Sequence, residues 1–340
     1  MNPLRSGKFA LLSLAVATLA ATAGCGSSAA APAASSTASA RPSGTANVAY
    51  ASSLESLNQN VAGPTFNAAE GYKYSGQGNP PEALEAAIAA GKITPNVFES
   101  VGSDDITPLE PKLTKWYIQY AETQVVLAYN PDSRYASEFQ AIADGAAPTQ
   151  DLFLLLETSG LKLGRTDPAT DSQGRDSIFM LELAQKYYNL PSDAISKILR
   201  TSSADLGSSR SSQIFTESSL GTALESGQLD AASVFINQAV QLHLDYIKLP
   251  ELINLSSPAD DAYYEQASLT IGGKTYTGSP QVIDITIIGA PTAAATAFVM
   301  YTLSQTGLTE YRNVGFAVLA PKAFGDTSAI PASITSELDT

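Results

Sequence analysis

The sequence predicts an α/β protein whose folded part divides into two bodies, and three observations lead there. Short apolar runs of strand length alternate with helical patterns, the mark of strands layered against helices. The segment from Thr45 to Thr340 is long for one hydrophobic core and comfortable for two. Ile118 to Tyr129 is a long extended run, of a length that suits a chain crossing between two lobes.

The chain begins with Arg5 and Lys8, followed by an apolar run from Phe9 to Gly24 that ends Thr22-Ala23-Gly24-Cys25. That run falls short of the roughly 20 residues a membrane-spanning helix needs. A positive start, a short apolar middle and small residues before a break describe a secretory signal peptide, residues 1–24. Cys25 straight after Ala-Gly resembles the lipobox of bacterial lipoproteins, with Thr22 where that motif usually has Leu. The resemblance implies that the Cys25 thiol carries a diacylglycerol and anchors the exported protein to the outer face of the cytoplasmic membrane. Two acyl chains on one residue hold a protein where one binds only marginally. The alternative is an ordinary signal peptide cut nearby, with Cys25 incidental. Residues 26–44 are almost all Gly, Ser, Ala, Thr and Pro, with Arg41 the one charge. Such a stretch buries too little apolar surface to order itself, so 25–44 reads as a tether with a mean reach of about 25 Å.

In the folded part, Asn47 to Tyr50 reads as a strand, followed by a helix from Ser53. Tyr72 to Tyr74 is a second strand, leading into a turn at Gly76-Gln77-Gly78-Asn79 and a helix that ends at Gly91. Pro80-Pro81 at the helix start and Gly91 just beyond its end are the expected start and stop signals. Val97 to Val101 is a third strand, and the crossing segment follows. Leu161 to Gly164, Ala232 to Ile236, Tyr246 to Leu249 and Val282 to Ile288 read as further strands, and Ser177 to Asn189 as an amphipathic helix. Gly272-Gly273 between two β-rich runs marks a hairpin turn. Ala293 to Ser304 is a helix apolar on most sides, hence packed within a body. On this reading residues 45–120 form lobe I, 121–285 form lobe II with the crossover, and 286–340 return to pack on the lobes.

Charge and composition exclude several functions. Without Arg5 and Lys8, the 19 basic side chains fall to 17 against 33 acidic ones, the wrong sign for binding nucleic acid. Cys25 is the only cysteine and His243 the only histidine, so clusters of His and Cys that hold metals are excluded by counting. A Ser-His-Asp site would have to use His243, in a helix-like stretch where a surface or packed role is commoner. Gly76-x-Gly78 lacks the third glycine of a dinucleotide fingerprint, and no phosphate loop exists. No catalysis, metal or cofactor is expected. Binding signals are better: Ser52 and Ser53 after the first strand, and Asn79 after the second, stand where helix starts could hold an anion on backbone N–H groups. They could equally be helix caps.

The segments Tyr50-Ala51-Ser52-Ser53-Leu54, Gly164-Arg165-Thr166-Asp167-Pro168 with Asp171-Ser172-Gln173-Gly174, and Leu224-Glu225-Ser226-Gly227-Gln228-Leu229-Asp230 occur in an ordered series. Tyr246-Ile247-Lys248-Leu249-Pro250, Ile253-Asn254-Leu255 and Asp284-Ile285-Thr286-Ile287 continue it. In order and spacing they resemble the tungstate/molybdate-binding lipoproteins of ABC importers, with Asp284 where that family has Gly. The resemblance implies the two-lobed type II periplasmic-binding fold, with an oxyanion held between lobes and delivered by a monomeric protein to a membrane permease. An envelope sensor, or a binder of a small organic solute on the same fold, is the alternative. Carried over by position, Ser52, Ser53 and Asn79 would donate hydrogen bonds, and Thr123 aligns with a family asparagine at the crossover. Asp171 falls where the family supplies one carboxylate to the bound metal, and Asn237 is counted among the ligand-binding candidates. Val234 stands at the position of the family's second carboxylate, a glutamate. Valine cannot coordinate a metal, so a bound metallate is expected to stay tetrahedral.

Overall fold

A computed structural model describes residues 42–338. The signal peptide, Cys25 and all but the last three residues of the tether lie outside the described residues.

Two sheets with separate cores make up the fold. The strands β1 (Thr45–Ala51), β2 (Lys73–Asn79), β3 (Val97–Val101) and β4 (Trp116–Glu122) come first in the chain. The strands β5 (Val125–Tyr129), β6 (Leu163–Gly164), β7 (Ala231–Phe235) and β8 (Asp245–Lys248) follow. The last four are β9 (Ser268–Ile271), β10 (Lys274–Thr277), β11 (Val282–Ile287) and β12 (Ala317–Gly325). Six of them form one sheet in the order β12-β4-β11-β3-β1-β2, four form a second in the order β6-β7-β5-β8, and β9 and β10 form a hairpin. The first sheet, with its helices, is the first lobe; the second sheet, with its helices and the hairpin, is the second.

The sequence dictates this layering locally. β3 and β11 are buried along their whole length, as strands covered on both faces must be, and each is apolar apart from two buried polar residues, Glu99 and Ser100 in β3 and Asp284 and Thr286 in β11. Around the first sheet, Leu54, Phe66, Ile118, Ile285 and Phe298 meet in one core. Phe66 packs edge-on against Phe298 with ring centres 5.2 Å apart. Around the second sheet, Leu127, Phe139, Phe153, Ile178 and Ile253 make another. Removing that much apolar surface from water, at about 25 cal/mol per Å², is what holds each lobe together.

A buried polar cluster lies within the first lobe. Glu99 on β3 is fully buried and accepts hydrogen bonds from the Asn58 amide (2.9 Å) and the Tyr311 hydroxyl (2.9 Å). The Tyr120 hydroxyl donates to that of Tyr311 at 2.7 Å. Burial pushes the Glu99 carboxyl up, while Asn58, Tyr311 and Tyr120 pull it back.

The chain passes between the lobes at 122–125 and again near 281. Thr123 N–H donates to the Gln281 carbonyl at 2.8 Å, tying the two passages together. The extended run Ile118 to Tyr129 is thus β4 in one sheet and β5 in the other.

Several expectations change. Residues 282–285, expected with the second lobe, lie in β11, whose backbone pairs antiparallel with β3 and β4 of the first sheet. The segment after 286 supplies β12 and the helices Ala293–Leu303 and Gln305–Asn313 to that same lobe. The turn expected at Gly76 to Asn79 is strand, because β2 pairs in parallel register with β1 as far as Ala51–Asn79. Its glycines have a steric cause: a Cβ on Gly76 or Gly78 would stand 2.7 Å from the Tyr50 ring, which lies across them. His243, expected in a helix-like stretch, follows the helix Ile236–Gln241 with φ of 53° and is exposed.

Candidate ligand-binding cleft

Between the lobes runs a cleft of about 1000 Å³. The ends of several elements open onto it, and the sequence at each explains why. After β1 the chain turns into a continuous helical run over 52–70, with Ala51 at its N-cap. Alanine has no side-chain oxygen, so it leaves the leading N–H groups uncapped. After β2, Pro80 stands at the N-cap of the helix Pro81–Ala89, again without a side-chain cap. In the second lobe Asp171 caps the helix Ser172–Tyr187, accepting from the Gln173 N–H at 3.0 Å. Thr216 precedes the helix Glu217–Glu225 and makes no side-chain cap bond to it. Ser52, Pro80, Asp171 and Thr216 all line the cleft, so four helix N-termini converge on one space. Each brings the partial positive charge of a helix start.

The side chains oppose that field. Glu55, Asp167, Asp171 and Glu217 line the cleft, and no Lys, Arg or His among the described residues does. The hydroxyls of Ser52, Ser56, Thr170 and Ser218 and the amides of Gln59 and Gln238 are among the other polar groups on its wall. Burial pushes the Asp171 carboxyl up to about 6, the Gln173 N–H and the Thr166 hydroxyl pull it back, and the charge of Asp167 adds to the rise. Burial, and then the neighbouring charge of Asp171, raises Glu217 well above the carboxylate range. The Ser52 hydroxyl and the Gln238 amide both donate to Glu217 and lower it again.

The structure brings four of the six sequence-derived candidates to this cleft: Ser52, Ser53, Asn79 and Asp171. The other two stand behind it. Thr123 and Asn237 are buried, the Thr123 hydroxyl donates to the Asn237 side-chain oxygen at 2.8 Å, and the Asn237 amide donates to the Ser53 carbonyl at 2.9 Å. Their polar groups satisfy one another across the crossover, which fixes the first helix start against the second lobe. They position the cleft and do not line it. Ser52 and Ser53 are not the N-cap of their helix, since Ala51 holds that position.

Reading the sequence missed Glu217. Val234, at the expected glutamate position, does line the cleft, but so does Glu217 from a different segment. A carboxylate from the second lobe's helix Glu217–Glu225 therefore acts beside Asp171, in addition to Asp167. The available signal was Thr216-Glu217-Ser218 ahead of an apolar-periodic stretch, an ordinary helix-start pattern.

A family model described as bacterial extracellular solute-binding protein matches residues 46–317. The chain belongs to that family. This solute-binding protein is 31% identical over 240 residues to an uncharacterized solute-binding protein of Petrotoga mobilis, covering 66% of the chain and 70% of the relative. It is 29% identical over 248 residues to a molybdate/tungstate-binding protein of Thermococcus kodakarensis, covering 66% of the chain and 68% of that protein. The periplasmic molybdate-binding protein of Azotobacter vinelandii shares its fold, with a TM-score of 0.51 at 14% identity over 80% of this chain and 99% of that one. The two-lobed type II periplasmic-binding architecture follows from these and from the two sheets.

Proposed function

We propose that this solute-binding protein captures an oxyanion of the molybdate/tungstate kind in the interlobe cleft and delivers it to the permease of an ABC importer. The observation that carries the reading is the convergence of four helix N-termini on a space lined, among the described residues, by no basic side chain. Helix starts hold anions through backbone N–H groups and dipoles without a counter-charge. Capture by closure requires contacts made only when the lobes meet.

The carboxylates refine the ligand class. An ionised Asp171 repels a sulfate, whose sulfur accepts no further donor, and Glu217, held well above the ordinary carboxylate range, has to release its proton before it can coordinate. A molybdenum or tungsten centre is a Lewis acid that takes oxygen donors, so the same two groups become ligands to it. With Glu217 in the cleft, the tetrahedral geometry expected from Val234 gives way to six-coordination through Asp171 and Glu217. Titration with molybdate, tungstate, sulfate and phosphate tests the class: the first two are expected to bind at least about a hundredfold more tightly, about 2.8 kcal/mol. X-ray absorption on the loaded protein reads the geometry, and a four-coordinate metal removes the carboxylates from the first coordination sphere.

A second reading, an organic anion as ligand, rests on size. A volume of about 1000 Å³ is that of a site for a much larger molecule, and Phe215, Leu220 and Leu242 give it apolar wall. A thermal-shift screen that includes sugar phosphates and small carboxylates alongside the metallates separates the two.

Lipid anchoring through Cys25 belongs to the same proposal. Among the described residues no helix is long and apolar enough to cross a membrane, and the N-terminal pattern supports an acylated cysteine. Cys25→Ser is expected to leave the membrane fraction or to remain unprocessed. Processed Cys25→Ser protein that still sediments with membranes rules the anchor out.

A further inference from the structure

The ligand cleft ends at an ion pair that joins the lobes. Arg175 lies one helical turn beyond Asp171, on the helix Ser172–Tyr187 of the second lobe, and its guanidinium meets the carboxylate of Glu82. Glu82 lies in the first turn of the helix Pro81–Ala89 of the first lobe, next to Pro80 on the cleft wall. Pro80 and Asp171 thus face the ligand cleft, while Glu82 and Arg175 face a second interlobe cavity of about 620 Å³. The pair stands where the two spaces meet.

Its two halves are held very differently. Arg175 is nearly buried and fixed by its own lobe: Nη1 donates to the Pro168 carbonyl at 3.2 Å, and the guanidinium stacks 4.3 Å from the centre of the Tyr276 ring. Tyr276 lies on β10 of the hairpin, whose Lys274 acts on the charge of Asp105 in the first lobe. Burial weakens the Arg175 proton affinity, and the adjacent Asp176 carboxylate restores part of it. A guanidinium pre-set in this way loses little freedom when a carboxylate arrives. Glu82 is the carboxylate it meets, and it comes from the opposite lobe. Of the three ion pairs found among the described residues, the other two, Lys197 with Glu157 and with Asp193, lie within the second lobe.

We infer that Glu82 and Arg175 form an interlobe latch that sets how long a captured ligand stays in the cleft. The inference rests on the capture-by-closure reading above. A contact made only in the closed state shifts the open–closed balance by its own free energy, and thereby slows release more than it speeds entry. It acts at the rim without touching the ligand, so it sets retention and not ligand choice.

The test uses Glu82→Gln and Glu82→Lys, since the Glu82 side chain is 28% exposed and Arg175 keeps its Pro168 and Tyr276 contacts without it. Small-angle scattering of the protein without ligand should show an expanded profile in Glu82→Gln, and a larger expansion in Glu82→Lys, where like charges face each other. Release of molybdate or tungstate, followed by stopped flow, should quicken about fivefold in Glu82→Gln, the range of a partly exposed pair, and further in Glu82→Lys. Unchanged melting and near-ultraviolet dichroism keep the comparison free of misfolding; if either variant fails this check, Glu82→Asp replaces it, with an intermediate effect expected. Scattering profiles and release rates equal to those of the native chain overturn the latch. Expansion in a protein that binds neither metallate keeps the latch and removes the ligand assignment, so the two can fail separately.

Discussion

Replacing Ser52 and Ser53 together by alanine is expected to weaken molybdate or tungstate binding by roughly ten- to a hundredfold for each hydroxyl that touches the ligand. A hydrogen bond to a charged partner is worth about 1.5–3 kcal/mol, which sets that range. Folding should survive, because neither serine caps its helix. Ala51 occupies the cap, and the Ser53 carbonyl that accepts from Asn237 is backbone and stays in place. The Ser52 hydroxyl also donates to Glu217, which keeps its Gln238 partner when Ser52 is lost. Calorimetric titration of the folded double variant reads the result. Affinity equal to the native protein's means that the backbone N–H groups alone hold the ligand and the hydroxyls serve only Glu217.

Stability is expected to fall as pH rises from about 5 to 8, the reverse of the usual acid denaturation. Glu99, Asp176 and Asp284 are buried, and burial holds all three carboxyls above their ordinary range, while Asp105 is raised to about 7. In the unfolded chain these groups titrate near 4. Between that value and their raised values, the native protein keeps protons that the unfolded chain has released. Raising the pH therefore favours unfolding, and the stabilisation present in full below about 4 is lost as pH climbs through the raised values. Asp284→Asn should flatten this dependence and raise stability at pH 8 by about 1–3 kcal/mol, the scale of a buried polar group without adequate partners. Melting midpoints across pH 5–8 for both proteins decide it, and a native midpoint that rises over that range refutes the account.

Where residue pattern and local geometry agree, the sequence was enough. Val97 to Val101 is apolar, β-branched and aromatic apart from two polar residues, and it is a strand over those residues. Gly272-Gly273 does join β9 to β10, both glycines at positive φ. Legibility fails where a residue answers to something distant in sequence. Gly76 and Gly78 look like loop residues, and only the Tyr50 ring on the neighbouring strand explains them as strand. β12 went unread because Pro321 interrupts it, yet an edge strand tolerates proline, and its register against β4 shifts between Val318 and Lys322.

The cleft shows the same limit. Ser52, Ser53 and Asn79 could be found because each follows a recognisable strand, and Asp171 only through the family resemblance. Thr123 and Asn237 are polar residues at plausible places, but their side chains bond each other and the Ser53 carbonyl. Sequence shows that a residue is polar and does not show what satisfies it. Glu217 was missed for the opposite reason: its helix start carries an ordinary signal, and nothing local reveals that Ser52 lies across from it.

The two passages between the lobes have a consequence for how such a protein can change over generations. Residues 125–280 leave the first lobe once and return once, so the whole second lobe is a single cassette spliced between β4 and β11. Asp171, Glu217 and Val234 travel with the cassette, while Ser52, Ser53 and Asn79 stay with the host lobe. Recombination at the two crossover points could therefore replace Asp167, Asp171 and Glu217 and leave the helix start beside Ser52, with Glu55, untouched. The helix starts at Ser52 and Pro80 and those at Asp171 and Thr216 are thus written on separately exchangeable stretches of the gene.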